Sequence, residues 1–93
     1  MFKTNEYFDG KVKSIAFQGD KKPATVGVMA AGDYDFNTNE KETMSVVTGE
    51  LIIKLSADSD SMTYRAGESF EVAANSSFHV TVPVDCAYLC EYG

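Results

Sequence analysis

Apolar residues recur in this chain with a period of two, interrupted by turn formers at roughly 8–12-residue intervals. In "KVKSIAF", Val12 and Ser14 fall on one side, against Lys11, Lys13 and Ile15 on the other. In "YDFNT", Tyr34, Phe36 and Thr38 share a side. "MSVVTGELIIKL" is two apolar runs about Thr48-Gly49, which reads as a short hairpin. "MTYRA", "ESFEVA", "SFHVTVPV" and "CAYLCEY" continue the rhythm. Gly19-Asp20, Gly32-Asp33, Asp58–Ser61, Ala66-Gly67, Asn75–Ser77 and Pro83–Asp85 punctuate it. Successive side chains of a strand point to opposite faces, so this pattern builds half-buried strands. A helix fits only around residues 37–43, and for one turn at most.

About eight such strands predict an all-β sandwich or barrel. A chain of 93 residues has room for one core, so residues 1–93 form a single domain. The most economical closure is a small jelly roll, the double-stranded β-helix of cupins. Closing a barrel removes strand edges that invite aggregation, and puts a ligand site in the mouth or between the sheets.

Eight basic residues against 14 acidic ones give a net charge of −6. A nucleic-acid polymer is a poor partner for such a surface, although a few local donors suffice for one small anion. No apolar run is long enough for a membrane span, and "MFKTNEYFDGKVKS" lacks the apolar segment of a secretory signal. A cytoplasmic location is expected. Cys86 and Cys90 agree with it. Four residues apart on one extended strand, their Cα atoms stand roughly 13 Å apart, too far for a disulfide. "SADSDS" lacks the glycine and distal glutamate of an EF-hand loop.

Two spacings resemble the cupin motifs. Gly67, Ala73, Asn75 and His79 approximate the second motif, which runs from a glycine to a metal-binding histidine. Glu42 precedes Gly49 by the interval from glutamate to glycine in the first. The histidine pair of that first motif has no counterpart, and His79 is the chain's one histidine. Three or four convergent ligands normally hold a transition metal, so none is expected as cofactor. The alternative set would be His79, Glu42 and Glu40.

The blocks "NEYFDGKVKSI", "VGVM", "GDYDF", "ETMSVVTGEL", "AGESF", "FHV" and "YLCEY" together resemble the pyrimidine/purine nucleoside phosphorylases, small single-domain cupins. The resemblance runs from Asn5 to Tyr92. It implies a metal-free homodimer that uses inorganic phosphate to release the base and form ribose 1-phosphate from nucleosides of both classes. A non-catalytic sugar- or nucleoside-binding cupin, or a metal-dependent cupin enzyme, is the alternative.

Phosphorolysis needs donors for phosphate, contacts to the ribose hydroxyls, a surface for the base, and stabilisation of a cationic sugar and a departing anion. His79 is the candidate for proton transfer or phosphate contact, because imidazole titrates near neutrality. If Phe78, Val80 and Val82 face the core, however, His79 and Thr81 face outward unless the Asn75–Ser77 turn carries a bulge. Glu42 is the second catalytic candidate, able to hold ribose hydroxyls. Tyr34, Phe36, Thr38 and Met44 are candidates for lining the pocket, with Phe36 stacking on the base. Arg65 suits a phosphate by its bidentate geometry. Lys11, Lys13, Ser45, Thr48 and Ser77 are further phosphate candidates. Tyr7 and Phe8 are expected to anchor an N-terminal arm on a partner subunit, with Glu6 reaching a neighbouring pocket.

Overall fold

The computed structural model describes all residues, Met1 to Gly93. Ten strands make up the fold: β1 Lys3–Tyr7, β2 Val12–Gln18, β3 Pro23–Met29, β4 Gly32–Asn37, β5 Glu42–Thr48, β6 Glu50–Lys54, β7 Met62–Arg65, β8 Ser69–Val72, β9 Ser77–Val82 and β10 Cys86–Tyr92. They form two antiparallel sheets, a six-stranded one ordered β1-β2-β3-β10-β5-β8 and a four-stranded one ordered β4-β9-β6-β7. The architecture is the all-β, two-sheet jelly roll expected from the strand rhythm. It retains free edges at β1, β8, β4 and β7, so hydrogen bonding does not close the barrel completely.

Two strands exceed the expected eight. β1 is a largely exposed edge strand paired with β2, where an arm was anticipated. β3 begins at Pro23 and is interrupted by Gly27, which blurs its alternation. A Cβ at Gly27 would lie 2.7 Å from the Tyr88 hydroxyl and 2.7 Å from the Lys13 carbonyl oxygen. The glycine is therefore the space into which a tyrosine from the neighbouring strand lies. No helix forms at residues 37–43; residues 38–41 join β4 to β5 without one.

The Thr48-Gly49 pair is not a hairpin turn. β5 pairs with β10 and β8, whereas β6 pairs with β7 and β9 in the other sheet. Gly49, at φ 86°, carries the chain across the sandwich. A side chain there would meet the Asp85 carbonyl at 2.9 Å. The two apolar runs adjoin in sequence because both line the core, from opposite sheets.

One cluster of 15 buried residues fills the space between the sheets. Val12, Met44, Val46 and Cys86 enter it from the six-stranded sheet, and Tyr34, Leu51, Ile53 and Val80 from the four-stranded one. Val12 and Ser14 point inward as the alternation requires, at 0% and 4% exposure. Cys86 and Cys90 are buried free thiols.

Candidate active site

A cavity of about 420 Å³ lies between the sheets, lined from β2, β3, β5 and β10 of the larger and from β4 and β9 of the smaller. That volume lies in the range of small-molecule sites. Its floor is the inner face of the larger sheet, and it is polar. Ser14 comes from β2, Tyr88, Cys90 and Tyr92 from alternate positions of β10, and Glu42 from the start of β5. The facing wall is aromatic, formed by Phe36 of β4, Phe78 of β9 and Phe8 of the β1–β2 turn. Asp35 and Asn37 also line it.

The aromatic wall is assembled by stacking. Phe36 and Phe78 lie 5.7 Å apart between centroids at 28°, and Phe8 meets Phe36 edge-on at 5.5 Å. Phe8 also contacts Tyr34 at 4.9 Å. Phe8 and Asp9 both adopt positive φ, 54° and 57°, a left-handed conformation uncommon outside glycine. That turn folds Phe8 back onto its own chain, so the ring expected on a partner subunit closes the cavity of its own protomer. Glu6 pairs on the outside with Lys13 at 3.1 Å.

On the floor, half-buried Glu42 has its pKa raised from the ordinary 4.5, first by burial; a bond from Cys90 opposes the rise and the charge of Glu40 adds to it. The Cys90 thiol donates to Glu42 Oε1 at 3.5 Å and is pushed up to about 12, chiefly by burial. Tyr88 is likewise pushed up to about 12, mainly by burial. Tyr92 shares a hydrogen bond with the Thr25 hydroxyl at 3.0 Å, and burial drives its pKa up as well. Near neutrality the floor is therefore a set of protonated donors around one carboxyl.

Of the residues singled out from sequence, Glu42, Phe36 and Met44 meet in this cavity. Tyr34 is core, 4% exposed, and its hydroxyl donates to the Ala30 carbonyl at 2.6 Å. Thr38 lies one residue past the end of β4. Its hydroxyl donates to the Ala73 carbonyl at 2.7 Å and accepts the Ser76 N–H at 3.0 Å. Arg65, exposed on β7, faces Glu50 at 3.3 Å, away from the cavity. His79 is outside too. Phe78, Val80 and Val82 take the inner face, and Ser77–Val82 pairs with β4 in unbroken register, so no bulge turns the ring inward. The imidazole sits on the outer face, Nδ1 2.8 Å from Asp35 Oδ1 and Nε2 3.2 Å from Asp33 Oδ1. The bonds to Asp35 and then Asp33 raise its pKa above 6.5. Lys11, Lys13, Ser45, Thr48 and Ser77 line none of the cavity either.

The alternative metal set does not converge, since Glu42 faces the cavity and His79 the outer surface. No group of three or more His, Cys, Asp or Glu side chains is placed to hold an ion. Ser14, Met29, Asn37, Tyr88, Cys90 and Tyr92 also line the cavity and are not candidates from sequence. The alternation of "CAYLCEY" carried the signal, because it puts Tyr88, Cys90 and Tyr92 on one face.

The pyrimidine/purine nucleoside phosphorylase family model matches residues 2–92. The chain belongs to this family. A pyrimidine/purine nucleoside phosphorylase of Alcanivorax borkumensis is 59% identical over 93 residues, covering 100% of this chain and 99% of that protein. One of Marinobacter nauticus is 58% identical over the full length of both. Among solved structures, a Vibrio parahaemolyticus protein superposes with a TM-score of 0.94 at 46% identity, covering 100% of this chain and 99% of the other. An RmlC-like cupin from Shewanella frigidimarina, 18% identical and covering 98% and 82%, superposes with a TM-score of 0.76 and so shares the fold. The chain thus has the cupin sandwich fold, with the cavity between its two sheets.

Proposed function

We propose that this chain catalyses phosphorolysis of both purine and pyrimidine nucleosides, releasing the free base and ribose 1-phosphate, in the cavity between its sheets. The observation that carries the reading is an aromatic wall facing a polar floor in a member of this family. Aromatic rings stack on a base of either class without reading its edge, which suits broad specificity. Phe36, Phe78 and Phe8 take the base, with Met44 packing beside them. The ionised Glu42 accepts bonds from ribose hydroxyls and stabilises positive charge developing on the sugar ring. Phosphate bonds to C1′ while the C1′–N bond breaks and its electron pair leaves with the base. This reading is metal-free and uses the chain's own side chains; the lack of a convergent group of His, Cys, Asp or Glu supports it.

A homodimer belongs to this reading. Ile15, Val26 and Val28 are 43%, 43% and 54% exposed on the outer face of the six-stranded sheet. Ile15 lies opposite Val26, and Val26 opposite Leu89, so the apolar residues run across neighbouring strands. A second copy would bury that band, and a stable interface needs about 800 Å² from each partner. A cytoplasmic location fits the two unpaired thiols and the phosphate co-substrate.

The experiment is base release from uridine and inosine with and without inorganic phosphate. Release of both bases only with phosphate supports the reading. Release that ignores phosphate would indicate a hydrolase, and no release would favour a nucleoside-binding protein.

A further inference from the structure

The cavity that would receive phosphate is lined by no lysine, arginine or histidine. Lys13 pairs with Glu6, Arg65 with Glu50, and His79 with Asp33 and Asp35, and none of these three cations lines the cavity. The floor instead holds two buried hydroxyls. Ser14 is 4% exposed and Tyr88 6%. Tyr88 lies opposite Gly27 on β3, and Gly27 opposite Ser14 on β2. With no side chain at Gly27, the Tyr88 ring lies over β3 and carries its hydroxyl toward Ser14 on β2. Both residues line the cavity. A hydroxyl that faces a cavity can donate to whatever occupies it, and a ligand with acceptor oxygens takes up such donors.

We propose that Ser14 and Tyr88 hold the attacking phosphate on the cavity floor through neutral hydroxyl donors; this rests on the phosphorylase reading above. The division of labour follows from donor and acceptor chemistry. Ribose hydroxyls have protons to give, and the Glu42 carboxylate accepts them. Unesterified phosphate oxygens accept, and Ser14 and Tyr88 donate. The phenol, pushed up to about 12 by burial, keeps its proton throughout the neutral range. The pair also meets the part of the reaction common to every nucleoside, leaving base tolerance to the aromatic wall.

The spacing agrees. The Glu42 carboxyl reaches Cys90 on β10, whereas the Tyr88 hydroxyl lies over Gly27 on β3, so the carboxyl and the hydroxyls are offset both along the strands and across them. A ribose ring bridges such an offset, with its hydroxyls toward Glu42 and its anomeric carbon toward the hydroxyl pair. A floor with no cation and one carboxylate favours singly over doubly charged phosphate. The monoanion also balances the reaction. One of its oxygens bonds to C1′, the C1′–N electron pair leaves with the base, and a phosphate proton ends on that base.

The test uses the full chain and inorganic phosphate. Phosphate binding is followed by calorimetry, and steady-state KM values are measured for phosphate, uridine and inosine. Tyr88→Phe and Ser14→Ala, each checked by a thermal melt, are expected to weaken phosphate binding and raise its KM by roughly tenfold or more. The KM of both nucleosides should change by less than about twofold. The wild-type KM for total phosphate should climb as pH rises above neutrality. Unchanged phosphate affinity in either folded variant, or a rise confined to the nucleoside KM, overturns the proposal. If wild type shows no phosphate-dependent turnover, the activity reading falls, and the binding series alone decides whether the pair holds phosphate.

Discussion

The Cys90 thiol donates to Glu42 Oε1 across 3.5 Å, so a weak sulfur donor is what meets the carboxyl on the cavity floor. Burial raises the pKa of Glu42 from 4.5, and the Cys90 bond holds part of that rise back. Removing the thiol therefore raises it further. The ionised carboxylate is the working form, so the acid limb of kcat/KM should lie above pH 4.5. Cys90→Ala moves that limb to higher pH. Glu42→Gln abolishes the limb and lowers kcat on the order of 100-fold. A pH–rate profile of the three proteins checks this; a limb unmoved by Cys90→Ala contradicts it.

The same carboxyl has a stability signature. Its folded-state pKa is raised, so the folded protein binds this proton more tightly than the unfolded chain. Wild-type stability should fall as pH rises from 4.5 through the raised value, where a half-buried charge appears. The melting temperature of Glu42→Gln, relative to wild type, should rise across that interval. Parallel melting curves at all pH values would contradict the assignment.

Thr38 serves the fold. Its hydroxyl ties the end of β4 to the Ala73 carbonyl and the Ser76 N–H. Thr38→Val keeps the shape and removes both bonds, and should cost about 1–3 kcal/mol by chemical denaturation. Turnover of the protein that remains folded should stay near wild type. A loss of turnover without a loss of stability would put Thr38 back in the site.

His79 joins two carboxylates on the outer surface. Its folded-state pKa is raised above 6.5, so its contribution to stability is fully present below that value. That contribution disappears as pH rises through the raised one. His79→Gln should therefore melt lower than wild type mainly at acidic pH, above the carboxylate range. The gap should close as pH rises and shrink in high salt, since the pair is exposed. Phosphorolysis should stay within roughly twofold of wild type. A deep loss of kcat would return His79 to the chemistry.

The outer face of the six-stranded sheet gives a separate test. Val26→Glu plants a charge in the middle of the apolar band, where a second copy would have to bury it. Light scattering should show a dimer for wild type and a monomer for the variant. A variant that remains dimeric contradicts the choice of this face.

Much of the fold was legible because inward and outward positions alternate strictly in β2, β4, β9 and β10. Val12 and Ser14 inward, and His79 outward, follow from parity alone. β3 was not legible, because its pattern breaks at Gly27, and Gly27 makes sense only once Tyr88 is seen lying over it. The Thr48-Gly49 corner looked like a hairpin because a local signal cannot report which sheet each run joins. The site was legible in part. Glu42, Phe36 and Met44, candidates from sequence, line the cavity, whereas Tyr88, Cys90 and Tyr92, which line it too, read as ordinary strand. Arg65 and His79 drew notice by their chemistry, but register sends both away from the cavity. Phe8 reaches the site through a turn with two residues at positive φ, which its own side chain does not announce.

In phosphorolysis an oxygen of inorganic phosphate displaces the base at C1′. The most direct measurement is mass spectrometry of the sugar formed from uridine, and then from inosine, in fully ¹⁸O-labelled phosphate. The account predicts ribose 1-phosphate that retains every labelled oxygen, from both nucleosides. Free ribose carrying oxygen from water would contradict it.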